Sequence, residues 1–254
     1  MILLNMKNII QIDITTYIIL LLSLISGNFK NILILYIIIF IHELGHILFL
    51  KIFNKEIISI KFYPFGGISK YKSLINHNIF QELLIALGGI IFQLILFILI
   101  IIFYKLSLIN NYTYNLFINN NYYLLIFNLI PITGLDGEKI FHLLLEYIFS
   151  FHSANNISIF VSLVSLFLFT IHSFYLKINS LFVLTFLIYK IFYFINTKKY
   201  FENKFYLERY LYDIPYKKIK YIKNDNLKNM YQETYHFFNN KKEFEYLNKL
   251  YKNI

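Results

Sequence analysis

The chain contains no cysteine and no tryptophan, and it has 14 acidic residues against 24 lysines and arginines. Without cysteine there are no disulfides and no thiolate ligands, so any metal site must use nitrogen and oxygen donors. The missing tryptophan accompanies an excess of Phe, Tyr, Ile, Asn and Lys, which we ascribe to genomic nucleotide bias rather than to function. The N-terminus lacks a small-residue cleavage signature and carries only Lys7 before Asp13, so the first segment is expected to be retained. A formal charge of +10 would suggest nucleic acid in a soluble protein. Here the basic residues sit in loops and a terminal tail, where membrane orientation accounts for them, and no nucleic-acid partner is expected.

The residues that are present are apolar and clustered. The 254 residues are 58% hydrophobic with a mean hydropathy of +0.57, and several runs approach the ~20 residues that a bilayer-spanning helix needs. The expected fold class is an all-α membrane protein of about six transmembrane helices. The spans are placed near Ile14–Ser26, Ile32–Leu50, Leu83–Phe103, Tyr122–Leu135, Ile157–Leu176 and Leu181–Ile195. After the second, residues Ile57–Tyr71 alternate with period two around Pro64 and Gly66-Gly67, which predicts a short membrane-associated β-hairpin. The Asn- and Tyr-rich segment Asn110–Asn121 reads as a loop, and the paired Gly88-Gly89 as a place where another backbone approaches closely.

Lysines orient the spans. Lys51, Lys55, Lys61, Lys70 and Lys72 follow span two, and Lys198, Lys199 and Lys204 open the tail, whereas the opposite loops hold little beyond Lys30, Lys105 and Lys177. The positive-inside rule then puts both termini of a multi-pass cell-membrane protein in the cytoplasm. Residues 1–196 form the expected transmembrane domain and 197–254 a short basic helical tail; within it NLKNMYQETYHFF and KKEFEYLNKLY read as helices.

One span is chemically out of place. Residues 40–50 read FIHELGHILFL, and ionisable groups in hydrocarbon are costly enough to require a function or a partner. HELGH is an H-E-x-x-H motif. On a helix, His42 and His46 project from one face a turn apart and can converge on a tetrahedral zinc, while Glu43 can act as general base towards a water on it. A catalytic zinc wants a third protein ligand. His77 and His152 read as loop residues, His142 as a surface residue of an interfacial helix, His172 as lying at the wrong depth and His236 as part of the tail. Asp136, in the unwound stretch PITGLDG after span four, is either that ligand or a turn aspartate before Gly137.

HELGH in an early span with NLIPITGLDG at the end of a later one resembles the site-2 protease family of intramembrane zinc metalloproteases, in particular the subgroup of stage IV sporulation proteases that process a sigma-factor precursor. The resemblance implies His42, His46 and Asp136 as ligands of one Zn2+ per chain, Glu43 as general base, and Asn128 as a donor to substrate or oxyanion. It also implies that Phe65, Gly66 and Gly67 of the hairpin engage substrate, and that GGIIFQ, Gly88–Gln93, packs on the catalytic core. The family often writes D-G-G after its aspartate, where Glu138 follows Gly137 here. No insertion of PDZ size is present, and the tail is shorter than a paired CBS module. The expected activity is hydrolysis of peptide bonds in or beside a transmembrane segment. The expected partners are the lipid bilayer and a single-span or membrane-associated protein such as a transcription-factor precursor, an anti-sigma factor or a remnant signal peptide; membrane-protein regulators or a homo-oligomer are also open. The competing readings are a non-catalytic membrane scaffold and a transporter with a buried His/Glu/Asp relay.

Overall fold

A computed structural model describes residues 10–63, 66–175, 181–212, 214, 216, 218–223, 226–239 and 241–251. It divides into two compact units, residues 1–72 with 84–129 and residues 73–83 with 130–254.

In the first unit, β1 (Ile10–Ile12) and α1 (Ile14–Ile25) lead into α2 (Phe29–Ile52), a hairpin of β2 (Ile57–Tyr63) and β3 (Gly66–Tyr71), most of α3 (Ile79–Lys105), and α4 (Asn111–Leu129). The expected hairpin forms. β2 pairs antiparallel with β3, and β1 adds in parallel on the other side, giving the order β1-β2-β3. Asp13 starts α1 by accepting from the Thr15 N–H at 3.0 Å, while its own N–H and the Thr16 hydroxyl both reach Phe62 O. Gly45 and Gly88 bring α2 and α3 into backbone contact: a Cβ built on Gly45 would lie 2.1 Å from Gly88 O. Small residues at such a crossing permit the close packing that joins helices in lipid.

The segment expected as an Asn-rich loop is helical. α4 begins at Asn111, where Asn110 Oδ1 accepts from the Thr113 N–H at 2.8 Å. Its asparagines find partners across the unit, Asn120 on Asn31 at 2.7 Å and Asn121 on Gln93, so tertiary hydrogen bonds override their weak helix propensity.

The second unit holds α5 (Asp136–Ile148), α6 (Phe151–Tyr175), α7 (Leu181–Leu211), β4 (Lys218–Ile222), a 3-10 turn (Leu227–Asn229), β5 (Thr234–Phe238), β6 (Lys241–Lys242) and α8 (Glu243–Tyr251). α7 does not stop at Ile195 but runs on to Leu211. The tail is not all helix either: Thr234–Phe238 is a strand, parallel to β4 and antiparallel to β6. Phe205, Tyr206, Ile222, Met230, Phe238 and Leu247 bury one another there with Phe151.

The molecule is α-helical with several apolar membrane-spanning helices. Among the described residues three helices are long and apolar enough to cross a bilayer, Phe29–Ile52, Ile79–Lys105 and Phe151–Ser173, where the sequence suggests about six. Of the other three expected spans, α1 has only 12 residues and α4 is diluted by its asparagines.

Candidate metal centre

His42, Glu43 and His46 occupy the middle of α2, with His42 and Glu43 buried and His46 half-buried. Each imidazole is fixed through its Nδ1. His42 Nδ1 lies 3.1 Å from Gln93 Oε1, and His46 Nδ1 lies 2.8 Å from the backbone oxygen of Ile85. A carbonyl can only accept, so both Nδ1 atoms carry the proton and both Nε2 atoms keep a lone pair. Those two Nε2 atoms are 3.0 Å apart. Two lone pairs facing one another at that distance repel unless a cation lies between or beside them, which is the donor arrangement of a metal site.

α3 supplies the frame. Gln93 is fully buried, donates through Nε2 to Asn121 Oδ1 at 3.3 Å, and its backbone oxygen accepts from Asn121 Nδ2 at 3.0 Å. The His42 ring lies on Gly89, where a Cβ would fall 2.3–2.6 Å from ring atoms. The sequence placed Gly88–Gln93 beside the core but assigned Gln93 no task, and it put Asn121 in a loop. A lone amide in an apolar helix has no spacing signature; the only available signal was its cost in hydrocarbon.

The hairpin comes to Glu43. Ser69 Oγ on β3 donates to Glu43 Oε2 at 3.0 Å, and a Cβ on Gly67 would lie 2.3 Å from the Glu43 carboxyl carbon. Gly67 is therefore required by the glutamate itself. Gly66 has nothing within 4 Å of a built Cβ, and Pro64 and Phe65 lie outside the described residues.

Asp136 does not end span four; α4 stops at Leu129 and Asp136 is the first residue of α5. Among the described residues, His42, His46 and Asp136 form a group able to hold a divalent ion, each offering one donor atom, and these atoms lie within 4.8 Å of one another. Asn128 is half-buried in the last turn of α4.

The histidines set aside have other partners. His77 and His142 lie 3.3 and 3.6 Å from the two oxygens of buried Glu146, and His142 Nε2 also meets Asn155 at 2.8 Å, so His142 is not the free surface residue expected. Burial alone would lower the His77 pKa, but the Glu146 carboxylate more than offsets it and the net shift is upward. His152 pairs with Glu202 at 2.8 Å.

Residues 30–116 match peptidase family M50. Over 192 residues the chain is 29% identical to stage IV sporulation protein FB of Bacillus subtilis, covering 74% of this chain and 67% of that one. Over these stretches the chain is similar to the M50, or site-2, proteases. A site-2 protease from Methanocaldococcus jannaschii has the same fold at a TM-score of 0.56 and 24% identity, over 72% of this chain and 88% of that one. These likenesses support an intramembrane metallopeptidase activity, and the donor set of two imidazoles and a carboxylate fits the metal that such an activity requires.

Proposed function

We propose that His42, His46 and Asp136 bind a single Zn2+ and that Glu43 is the general base for cleavage of a membrane-tethered protein. The observation that carries this reading is the pair of Nε2 atoms 3.0 Å apart, each made a lone-pair donor by a fixed bond at Nδ1. Two nitrogens and one carboxylate oxygen, with no cysteine in the chain, suit zinc with an open fourth position. When bound, the ion supplies Lewis acidity, making water nucleophilic near neutral pH and polarising a carbonyl. Glu43 takes the proton of the attacking water and returns it to the departing amine; the Ser69 hydroxyl holds one oxygen in place and leaves the other for this transfer. Asn128 donates to the substrate carbonyl as it becomes an oxyanion.

A substrate helix must unwind before an amide is open to attack. β3 is an edge of its sheet, and an extended segment added along it satisfies backbone groups that lipid cannot. Gly66 and Gly67 form the near end of that edge. The stage IV sporulation relative supports a substrate of the transcription-factor-precursor kind, with anti-sigma factors and remnant signal peptides as the other candidates. α1, α4 and α7 complete six crossings with the three long apolar helices, and both termini are cytoplasmic by lysine distribution.

The test is co-expression with candidate single-span substrates and mapping of products by mass spectrometry. Glu43→Gln is expected to lower cleavage by about 10²–10⁴-fold while the purified protein keeps one zinc per chain. Cleavage by Glu43→Gln at the native rate would remove the proposed base, and a metal-free native protein with full activity would remove the whole reading.

A further inference from the structure

The segment that delivers Asp136 is unwound, running from Ile130 to Leu135 between α4 and α5. Irregular backbone among membrane helices persists only where protein groups satisfy it. The partners here come from one face of α6. Ser162, fully buried, accepts from the Thr133 backbone N–H at 3.2 Å and from the Thr133 hydroxyl at 3.0 Å. One turn earlier Ser158, also fully buried, donates to the Glu138 carboxylate, and Asn155 Oδ1 meets His142 Nε2 at 2.8 Å. Residues 155, 158 and 162 lie on a single helix face, and their partners 133, 138 and 142 flank Asp136 on both sides. From α7, the Lys190 stem covers Gly134, whose φ of +101° admits glycine and whose Cβ would sit 3.1 Å from Lys190 Cγ.

We infer that Ser162 is a positioning residue for the metal ligand Asp136. Its oxygen takes both donors of Thr133 and so fixes the backbone three residues before the carboxylate, while Ser158 and Asn155 hold the first turns of α5 in register. Orienting partners of this kind are worth about 10–100-fold in metal affinity or activity. The inference rests on Asp136 as a zinc ligand, and the experiment separates the two.

Full-length protein is purified with Asp136→Asn, Ser162→Ala, Ser162→Thr and Ser173→Ala. Ser173 is a buried serine of the same helix that, among the described residues, bonds within its own turn, to Thr170 O at 3.0 Å. Zinc affinity is read by chelator competition, and amide hydrogen exchange is followed at Thr133–Leu135 in the metal-free protein. Ser162→Ala is expected to weaken zinc binding about 10-fold or more, to speed exchange of the Thr133 amide without metal, and to regain cleavage at raised zinc with KM unchanged. Ser162→Thr, which keeps the hydroxyl, restores affinity, and Ser173→Ala matches the native protein. If Asp136→Asn retains native zinc affinity, the ligand assignment falls. If Asp136→Asn loses zinc but Ser162→Ala keeps native affinity and native exchange at Thr133, the ligand stands and the positioning role is overturned. A Ser162→Ala protein that is only less heat-stable, with unchanged zinc affinity, overturns it as well.

Discussion

His42 and His236 are both buried beside a buried glutamate, and their remaining bonds differ in kind. His236 accepts the Tyr231 N–H at Nε2 at 3.0 Å and reaches Glu243 Oε2 through Nδ1 at 2.9 Å. Glu243 Oε1 takes Arg209 at 3.0 Å, and Arg209 also donates to Asn76, Tyr231 O and Thr234 O. Each ring nitrogen of His236 has a polar partner from the protein, so the group ties α7, α8, β5 and the 73–83 segment together and has no donor left for a ligand. In the α2 site Gln93 and the Ile85 backbone oxygen hold the two Nδ1 atoms, and the two Nε2 atoms converge. Burial does not distinguish a structural histidine from a ligating one; the allocation of its second nitrogen does.

That contrast predicts opposite consequences for equivalent substitutions. The largest effect belongs to His46→Ala, which is expected to abolish zinc binding and cleavage while leaving the unfolding midpoint near native, as zinc titration and circular dichroism in detergent would report. Next is Arg209→Ala. It leaves the buried Glu243 carboxylate with its His236 hydrogen bonds but without the Arg209 counter-charge, a loss of about 3–5 kcal/mol in buried pairs. Denaturant unfolding should register that loss with zinc stoichiometry unchanged; a stable Arg209→Ala protein without zinc would reverse the assignment of the two regions. Gln93→Leu lies between them, because it keeps the volume but frees His42 to take either tautomer. About 10–100-fold weaker zinc binding is expected, with a loss of about 1–3 kcal/mol in stability because buried Asn121 Oδ1 loses its donor.

How far these regions can be read from sequence follows the same division. HELGH carries its chemistry in its spacing, and Asp136 is exposed to view by Pro131, Gly134 and Gly137 around it, so the candidate donor set is legible. The groups that hold it are not. His46 is anchored by a backbone oxygen, Ile85 O, which no side-chain pattern encodes, and Ser162 is one serine among several in an apolar helix. The tail hides its strand for a related reason. Thr234, His236 and Phe238 face inward and Tyr235 and Phe237 are less buried, a clean alternation. A hydropathy reading counts buried Thr and His as polar and misses the period. The Asn-rich part of α4 fails likewise, since its helix depends on partners in α2 and α3.

The smallest expected effect, and the one that sharpens the comparison furthest, is in the pH dependence of stability. Burial, with Arg209 and Lys220 adding, outweighs the pull of Glu243 and lowers the His236 pKa below 6.5. Glu243 is also lowered, because burial is outweighed by the His236 hydrogen bond and Arg209. For both groups the folded state binds fewer protons than the unfolded one, so their contribution is complete above the unfolded pKa and disappears as pH falls. His77 has the opposite sign. With Glu146 and Glu82 around it and Lys139 opposing, its pKa is raised above 6.5, so its contribution is complete below 6.5 and is lost as pH rises through the folded value. The native protein should therefore lose stability on both sides of a maximum near neutrality. His77→Gln should remove the decline on the alkaline side of 6.5 and leave the acid limb intact, while His236→Asn, which is destabilising at every pH, should flatten the acid limb between 6.5 and the lower values. Unfolding midpoints measured from pH 5 to 9 would show it. Identical limbs in native protein and both variants would mean that neither imidazole changes its protonation on folding, and that the two histidines differ only in their contacts.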